Sequence, residues 1–302
     1  MCSMNDYKIE SVLGKGTFGT VYLVRRRKDD KPYVIKEQPL TDTNKYVAKM
    51  MLNEVQMLQK MRHPNIIAYH CAWKDDEFNY IVMEYAHHGT LKSLIERRKE
   101  PLKNEHALYL FAQIILGVHH IHSKNTLHMD LKPENIMLTG RNGDIIKIGD
   151  FGMSKNFRRE FMSCPAGSYY YMAPEIFMDQ LYSFKCDVWS MGVILYEMVT
   201  KRLPFPGKSF EEIREMVCHK EPQALPRSVE NDTITLISKM LRKKKLNRPR
   251  TDQLLLCPFL VRTIATVYLN VGRILNTIDR DPTNFDSRIF TNFLKQRKAS
   301  ES

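Results

Sequence analysis

The chain has 302 residues, which is long enough for one large domain or two small ones with a sizeable core. Hydrophobic residues make up 43% and charged residues 26%, so the composition excludes a disordered or collagen-like chain. The formal net charge of +12 is compatible with acidic partners such as phosphates, nucleic acid or a membrane surface, but it requires none of them.

Three features of the sequence bear on the cellular compartment of the protein. A membrane span needs roughly 20 apolar residues, and the best candidate, 188–200, is short and contains Glu197. The N-terminus lacks the basic-then-apolar pattern of a secretory signal. The six cysteines are scattered without a C-x-x-C pair, which is typical of reduced thiols. We therefore expect no membrane span and a cytoplasmic location, with the nucleus and the cytoskeleton as alternatives.

The first 85 residues combine short β-type segments with one helix. Strands are predicted over 7–13, 20–24 and 33–36, with a hairpin turn at the charged segment 25–31. Apolar residues at helical spacing predict a helix over 45–61. Two more strands follow His63-Pro64-Asn65, and the second ends at Met83.

From about residue 86 the hydrophobic period is mostly helical. Helices are predicted over 105–122, 187–200, 233–241 and 253–256, and a hairpin over 136–148. In the last forty residues, apolar side chains from Val261 to Ile278 mark one helix face, and the basic end of the chain is expected to fray. Packing of that face on the rest of the protein is the favoured interpretation, and docking of a partner is the alternative.

Residues 14–19 form a G-x-G-x-x-G pattern, and the segment after it decides its meaning. A dinucleotide-binding fingerprint and a P-loop both need a helix after the glycines. Here 20–24 has the pattern of a strand. A glycine loop between two strands is the flap that covers ATP phosphates in protein kinases, because glycines let the backbone approach phosphate oxygens. An ordinary hairpin turn is the alternative.

Further motifs match in order along the chain. Lys36 ends a predicted strand, Glu54 lies on the next predicted helix, and the later motifs are HMDLKPEN at 128–135, DFG at 150–152, APE at 173–175 and DVWS at 187–190. With these motifs, residues 7–260 resemble a eukaryotic protein kinase. The resemblance implies a two-lobed α+β fold with a small β-rich N-lobe (7–85) that has one main helix, and a larger helical C-lobe (86–260). Residues 261–302 would form an amphipathic helix and a basic tail.

The resemblance implies an ATP- and Mg²⁺-dependent kinase that phosphorylates serine and threonine hydroxyls of proteins. Asp130 would accept the hydroxyl proton, and Lys132 would steady the γ-phosphate. Lys36 would bind phosphate and pair with Glu54, while Asn135 and Asp150 would hold the metal. The implied nucleotide-binding residues are Leu13, Gly14, Lys15, Gly16, Thr17, Phe18, Gly19, Thr20, Val21, Val34, Lys36, Met83, Glu84, Ala86 and Met137.

The same resemblance assigns finer roles. Adenine would lie between Leu13, Val21 and Val34 on one side and Met137 on the other. Residues 84–86 would form the hinge, with Met83 as the gatekeeper. Lys132 and Ser168 are typical of the Ser/Thr class, and Arg248 would pair with Glu175 in a structural role.

Two positions depart from the family pattern. Met129 replaces the arginine that usually precedes the catalytic aspartate, and Cys164 stands where related kinases carry the phosphosite that pairs with that arginine. Because both members of a strong charge-assisted pair are absent, we hypothesise that the activation loop orders without phosphorylation there. One alternative hypothesis is that phosphorylation of Ser163 orders the loop. Another is that Met129 only packs against the loop and has no regulatory role.

Local stretches resemble the NIMA-related (Nek) kinases. These stretches are 145–152 (IIKIGDFG), 83–91 (MEYAHHGTL) and 258–262 (PFLVR). The chain most resembles the branch whose longer members add RCC1-type repeats, which we expect to be absent here. The family implies roles in mitosis, microtubules, cilia or membrane traffic, and the branch implies ankyrin-repeat scaffold proteins as partners.

Other interpretations stay open at this point. A pseudokinase scaffold would use the same fold without catalysis, whereas a nucleic-acid-binding protein would need a basic stripe with interleaved aromatics, which is lacking. The histidines at 119, 120, 122 and 128 could suggest zinc, but packing of His128 beneath Phe151 is the favoured interpretation. The basic runs 25–28 and 242–245 have the pattern of solvated surface, with nuclear signals or nucleic-acid contacts as alternatives.

Overall fold

The computed structural model describes residues 2–16, 19–40, 55–151, 155–156, 168–181 and 183–278. Within these ranges the strands are β1 (Tyr7–Gly16), β2 (Gly19–Arg26), β3 (Pro32–Pro39), β4 (Tyr69–Lys74), β5 (Phe78–Glu84), β6 (Thr126–Leu127), β7 (Ile136–Thr139), β8 (Ile145–Ile148) and β9 (Lys155–Asn156). The helices are α1 (55–60), α2 (Leu91–Arg97), α3 (Asn104–Ser123), α4 (Pro174–Phe177), α5 (Lys185–Thr200), α6 (Phe210–His219), α7 (Asn231–Met240), α8 (Thr251–Leu255) and α9 (Pro258–Ile278).

The small lobe is built on an antiparallel sheet with strand order β1-β2-β3-β5-β4. One face buries Val24, Ile35 and Val82, while Ile81 on the opposite face of β5 is buried in the larger core cluster, so the central strands are covered on both sides. Trp73 stacks on Tyr80 with ring centroids 5.0 Å apart, and this aromatic packing anchors the outer strand. The sheet therefore supplies a rigid platform for the glycine-containing β1–β2 hairpin.

The large lobe is centred on α5, where all residues after the first are buried. Trp189 of this helix stacks on Phe205 with an interplanar angle of 11°. Helix α9 packs on α3 through Leu260, Ile264 and Val267, which are at most 9% exposed. The packing interpretation of this C-terminal face is thus confirmed up to Val271, where the description of side chains ends.

The sequence prediction of elements was incomplete in the large lobe. Helices α2, α4 and α6 were not predicted. Helices α2 and α4 have only seven and four residues, too few to show a period. In α6 the apolar residues Phe210, Ile213, Met216 and Val217 do follow a helical spacing, and Ser209 caps the helix by accepting a hydrogen bond from the N–H of Glu212, so this helix was predictable and was missed. The helix predicted over 45–61 is described only as α1, and its earlier part lies outside the described residues.

Within the described ranges, no helix is by itself long and apolar enough to cross a bilayer. A bent pair of helical segments, Lys245–Leu255 and Pro258–Val271, would together be long and apolar enough to span a bilayer, by length and composition only.

Candidate active site

Asp187 holds the backbone that leads to Asp130. Buried in the first turn of α5, its carboxylate accepts hydrogen bonds from the N–H groups of His128 and Met129 at 3.0 Å and from the His122 ring at 2.8 Å. Burial alone would raise the pKa of this carboxyl, but the contacts with His122 and His128 hold it below its ordinary value. Met129 has a φ of 70°, a left-handed conformation that costs about 1–2 kcal/mol for a non-glycine residue. Asp187 therefore stabilises a strained turn.

Three side chains converge on Asp130, which is 8% exposed. The Lys132 ammonium lies 2.8 Å from Oδ2 and 3.1 Å from Oδ1 of Asp130. Asn135 donates to Oδ2 at 2.9 Å, and the Ser168 hydroxyl donates to Oδ1 at 3.0 Å. Lys132 also donates to Ser168 at 2.9 Å, so the expected contact between Ser168 and this loop is present. The carboxylate is oriented from several sides at once.

Lys36 of β3 faces Asp150, with Nζ 3.4 Å from Oδ1. Asp150 has a φ of 57°, and its side chain is 44% exposed. The next residue, Phe151, is fully buried against His128, with ring centroids 5.1 Å apart. The expected packing of His128 on Phe151 is therefore confirmed, and it leaves the Asp150 carboxylate facing the side from which Lys36 approaches.

The donors around Asp150 suit a hard divalent cation. Asp150 offers carboxylate oxygens. The N–H of Gly149, the residue before it, donates to the Asn135 carbonyl at 2.9 Å, which holds Asp150 close to Asn135. The amide nitrogen of Asn135 donates to Asp130, so the amide oxygen is the atom that Asn135 can offer to a cation. Oxygen ligands of these kinds are those that Mg²⁺ and similar ions prefer.

The β1–β2 hairpin carries the glycine residues. Gly19 has a φ of 129°, and a Cβ there would lie 1.8 Å from the carbonyl oxygen of Glu37, so no larger residue fits this backbone. Leu13, at an irregularity in the β1–β2 ladder, is 47% exposed. The paired residues are Gly14 with Val21, Lys15 with Thr20, and Gly16 with Gly19.

The remaining nucleotide-binding candidates line β3, β5 and β7. Val34 pairs with Met83 across the β3–β5 ladder, and Met83 is the penultimate residue of β5. Met137 lies on β7 beside Gly149. A Cβ added to Gly149 would lie 2.6 Å from the terminal methyl of Met137. Ala86 follows β5 and is half-buried.

Glu84, the last residue of β5, is tied to β8. The Lys147 ammonium lies 2.9 Å from its carboxylate, which also accepts from the N–H of Ala68 at 3.1 Å. Lys147 is only 7% exposed, so this is a charge pair with its cation largely removed from water. The contact joins the end of the small-lobe sheet to the large lobe.

The structure brings together Asp130, Lys132, Asn135 and Ser168 in one group, and Lys36 and Asp150 in another. Thr17, Phe18 and Glu54 lie outside the described residues, as do Ser163 and Cys164. Sequence reasoning missed the roles of Asp187, His122 and Lys147. The lone lysine in the apolar strand IIKI was a signal, since a cation there needs a buried partner.

The histidine cluster does not assemble a metal site. His119 contacts Thr251 at 3.1 Å, the His120 ring packs on His63 and His122 binds Asp187. Over the ranges that the structure describes, no three ligating His, Cys, Asp or Glu side chains come together.

Comparison with known proteins gives a consistent picture. The profile of the protein kinase domain matches residues 7–260, and proteins with this domain use ATP and a divalent metal ion to modify protein substrates. Serine/threonine-protein kinase Nek5 from Mus musculus is 36% identical over 265 residues, covering 87% of this chain and 42% of the relative. Nek4 from the same species is 32% identical over 281 residues, 92% of this chain and 35% of the relative.

A shorter relative is covered more fully. Serine/threonine-protein kinase nekl-2 from Caenorhabditis elegans is 32% identical over 285 residues, which are 90% of this chain and 79% of that protein. The chain spans about two fifths of the length of the Nek5 and Nek4 relatives that it matches.

Proposed function

The chain belongs to the protein kinase family, in its Nek group, and on that premise we propose that it transfers the γ-phosphate of ATP to serine and threonine hydroxyls of proteins. The observation that carries the proposal is the group around Asp130. Its carboxylate, the Lys132 ammonium, the Asn135 amide and the Ser168 hydroxyl all lie within hydrogen-bonding distance of one another or of Asp130. The Lys36–Asp150 pair supplies the second part of the site.

In the proposed reaction Asp130 accepts the proton of the substrate hydroxyl and orients its oxygen, a role worth about 10²–10⁴-fold in rate. Lys132, already bonded to Asp130, steadies the transferring phosphoryl group. Lys36 binds phosphate oxygens. A divalent ion, which we propose to be Mg²⁺, would be held by Asn135 and Asp150 and would neutralise charge on the phosphates.

The nucleotide is proposed to lie between the β1–β2 hairpin and β7. Leu13, Val21 and Val34 would cover one face of adenine, and Met137 the other. The Glu84 carbonyl and the Ala86 N–H would bind the adenine edge, and the Lys147–Glu84 pair fixes the Glu84 side chain against β8.

We also propose that the activation loop reaches its active conformation without a phosphate at position 164. The support is local, since Met129 packs against the core and the Cys186 thiol lies 3.7 Å from its sulfur. Met129, at the position of the family's arginine, carries no positive charge that could bind a phosphate. The alternative, that phosphorylation of Ser163 orders the loop, is one outcome of the experiment described below.

The proposed cellular role rests on the resemblance to the Nek family. We propose a cytoplasmic or cytoskeleton-associated kinase, with ankyrin-repeat proteins as candidate scaffolds. Fluorescence localisation of the tagged chain, and co-purification with an ankyrin-repeat protein at endogenous level, test the two parts separately.

The main experiment measures transfer of labelled γ-phosphate to a generic serine/threonine acceptor. Phosphatase-treated protein is compared with Asp130→Asn and with Asp76→Asn, an isosteric control at an exposed turn. We expect transfer by the treated wild type and by Asp76→Asn, and its loss in Asp130→Asn. Recovery only after autophosphorylation, blocked by Ser163→Ala, would overturn the loop proposal but not the kinase. No transfer under any condition would favour the scaffold interpretation.

A further inference from the structure

The basic run 242–245 is not a uniformly solvated strip. Lys243 turns inward, where its ammonium donates to the carbonyls of Val217 at 2.8 Å and Met216 at 3.3 Å. It also lies 3.9 Å from the centre of the Phe205 ring. Burial lowers the pKa of Lys243 to about 8. This lysine therefore anchors the run to the end of α6.

A buried ion pair fixes the backbone of the same run. The Arg248 guanidinium binds both carboxylate oxygens of Glu175 at 2.7 Å, as the family resemblance implied, and both side chains are at most 2% exposed. Its Nε donates to the carbonyl of Arg242 at 2.7 Å, and its Nη2, which also bonds Glu175, donates to the carbonyl of Lys243 at 3.0 Å. The run is held rigid before any partner arrives, which lowers the entropic cost of binding.

Arg242 and Lys244 flank an open groove of about 340 Å³. Both side chains are exposed, and neither has a carboxylate partner among the residues that the structure describes. Further groups in the groove wall are a hydroxyl, a carboxylate and apolar surface, supplied by Ser238, Glu221, Pro222 and Leu241. The groove thus combines unpaired positive charge with mixed polar and apolar walls.

Two exposed leucines are linked to the segment that lines this groove. Leu246 is 88% exposed, the highest value among the large hydrophobic residues of the described chain, and it precedes Asn247, a residue of the groove wall. Leu181 is 60% exposed, and its carbonyl accepts a hydrogen bond from the Lys245 side chain, which ties its backbone to the short turn Lys245–Asn247.

We infer that this basic groove is a docking site for an acidic polypeptide segment that carries an apolar residue. Arg242 and Lys244 would bind its carboxylates, and Leu246 with Leu181 would receive its apolar side chain. Charge complementarity selects an acidic partner. The walls favour a polypeptide over nucleic acid, because they present a proline and a leucine and no aromatic ring on which a base could stack.

Fluorescence anisotropy with the full chain tests the site. The probe is a short labelled peptide rich in glutamate with a central leucine, compared with the same peptide bearing glutamine for glutamate. The variant Arg242→Glu/Lys244→Glu is matched by Lys28→Glu/Lys31→Glu, which makes the same charge change at an exposed turn of the small lobe. Thermal unfolding and phosphotransfer to a generic acceptor confirm that both variants are folded.

We expect the groove variant to bind the acidic peptide at least about tenfold more weakly than wild type, and the control variant to bind within about twofold. The glutamine peptide should bind poorly, and raised salt should weaken binding of the acidic one. Equal weakening in both variants, or no binding by wild type, would overturn the proposal. So would tighter binding of a single-stranded oligonucleotide that depends on Arg242 and Lys244, since this would make the groove a nucleic-acid site.

Discussion

The Met129 sulfur lies 3.7 Å from the thiol sulfur of Cys186, so the residue before Asp130 packs against the core of the large lobe. Cys186 is 2% exposed, and burial raises the pKa of its thiol well above the ordinary value, which keeps it neutral. The position where the kinase resemblance leads one to expect an arginine is thus filled by an apolar contact. This contact is the observation behind the proposal that the activation loop needs no phosphate at position 164.

Met129→Ala removes that contact and tests its value. We expect a loss of about 2 kcal/mol in the free energy of unfolding, at the low end for a methionine truncation because Met129 is only half-buried. Chemical denaturation measures the change. Met129→Leu, which conserves volume, should lose less than about 1.5 kcal/mol. Equal stability of the alanine variant and wild type would show that the sulfur contact contributes nothing.

Asp187→Asn should slow phosphotransfer and destabilise the fold, because the carboxylate holds two backbone N–H groups and the His122 ring. Since the folded pKa of Asp187 lies below its unfolded value, its ionisation stabilises the fold at neutral pH. That contribution is lost as the pH falls below about 4. Denaturation at stepwise lower pH should show the difference between wild type and Asp187→Asn shrinking, and a constant difference would contradict this account.

Glu175→Gln breaks the buried pair with Arg248. The expected cost is about 3–5 kcal/mol, because it leaves a guanidinium in the core without its counter-charge. Asp252→Asn breaks the exposed Arg250–Asp252 pair and should cost less than about 1 kcal/mol. Thermal and urea unfolding of both variants gives the comparison, and similar losses in the two would refute the distinction.

Gly149→Ala should weaken nucleotide binding with little loss of stability. The new Cβ would lie 2.6 Å from the terminal methyl of Met137, a flexible group that can move aside. Because Met137 is the proposed floor for adenine, we expect KM for ATP to rise about threefold to tenfold with kcat nearly unchanged. In a Met137→Ala background the same glycine change should have almost no effect. A persistent effect there would show that Met137 does not transmit it.

Much of the small lobe could be predicted locally. Short segments rich in β-branched or aromatic residues predicted the strands, and the glycine pattern 14–19 between two of them predicted the β1–β2 hairpin, as found. The strands are a few residues longer than predicted, because ladder pairing with neighbours extends a strand past its apolar stretch, as where Arg26 pairs with Tyr7. In the large lobe, α3 was predicted from its apolar spacing and α5 from its nearly continuous apolar composition, whereas α6 was missed although its apolar residues follow a helical spacing after the Ser209 cap.

The sequence by itself determined the order and identity of the groups around Asp130, because Lys132 and Asn135 are close enough along the chain for local geometry to bring them to it. The assignment to the Nek group was confirmed by its relatives, while the branch within it stays a prediction. Only the tertiary structure decided which distant residue supports each part of the site.

Asp187 contacts His128 across 59 residues and Lys147 contacts Glu84 across 63. The Arg248–Glu175 pair, 73 residues apart, was implied only by the family resemblance. Propensity and periodicity act within a few turns or strands, so they cannot specify such pairs. These contacts form because buried charges and N–H groups must find partners once the core has packed, and packing alone decides which partner lies within reach.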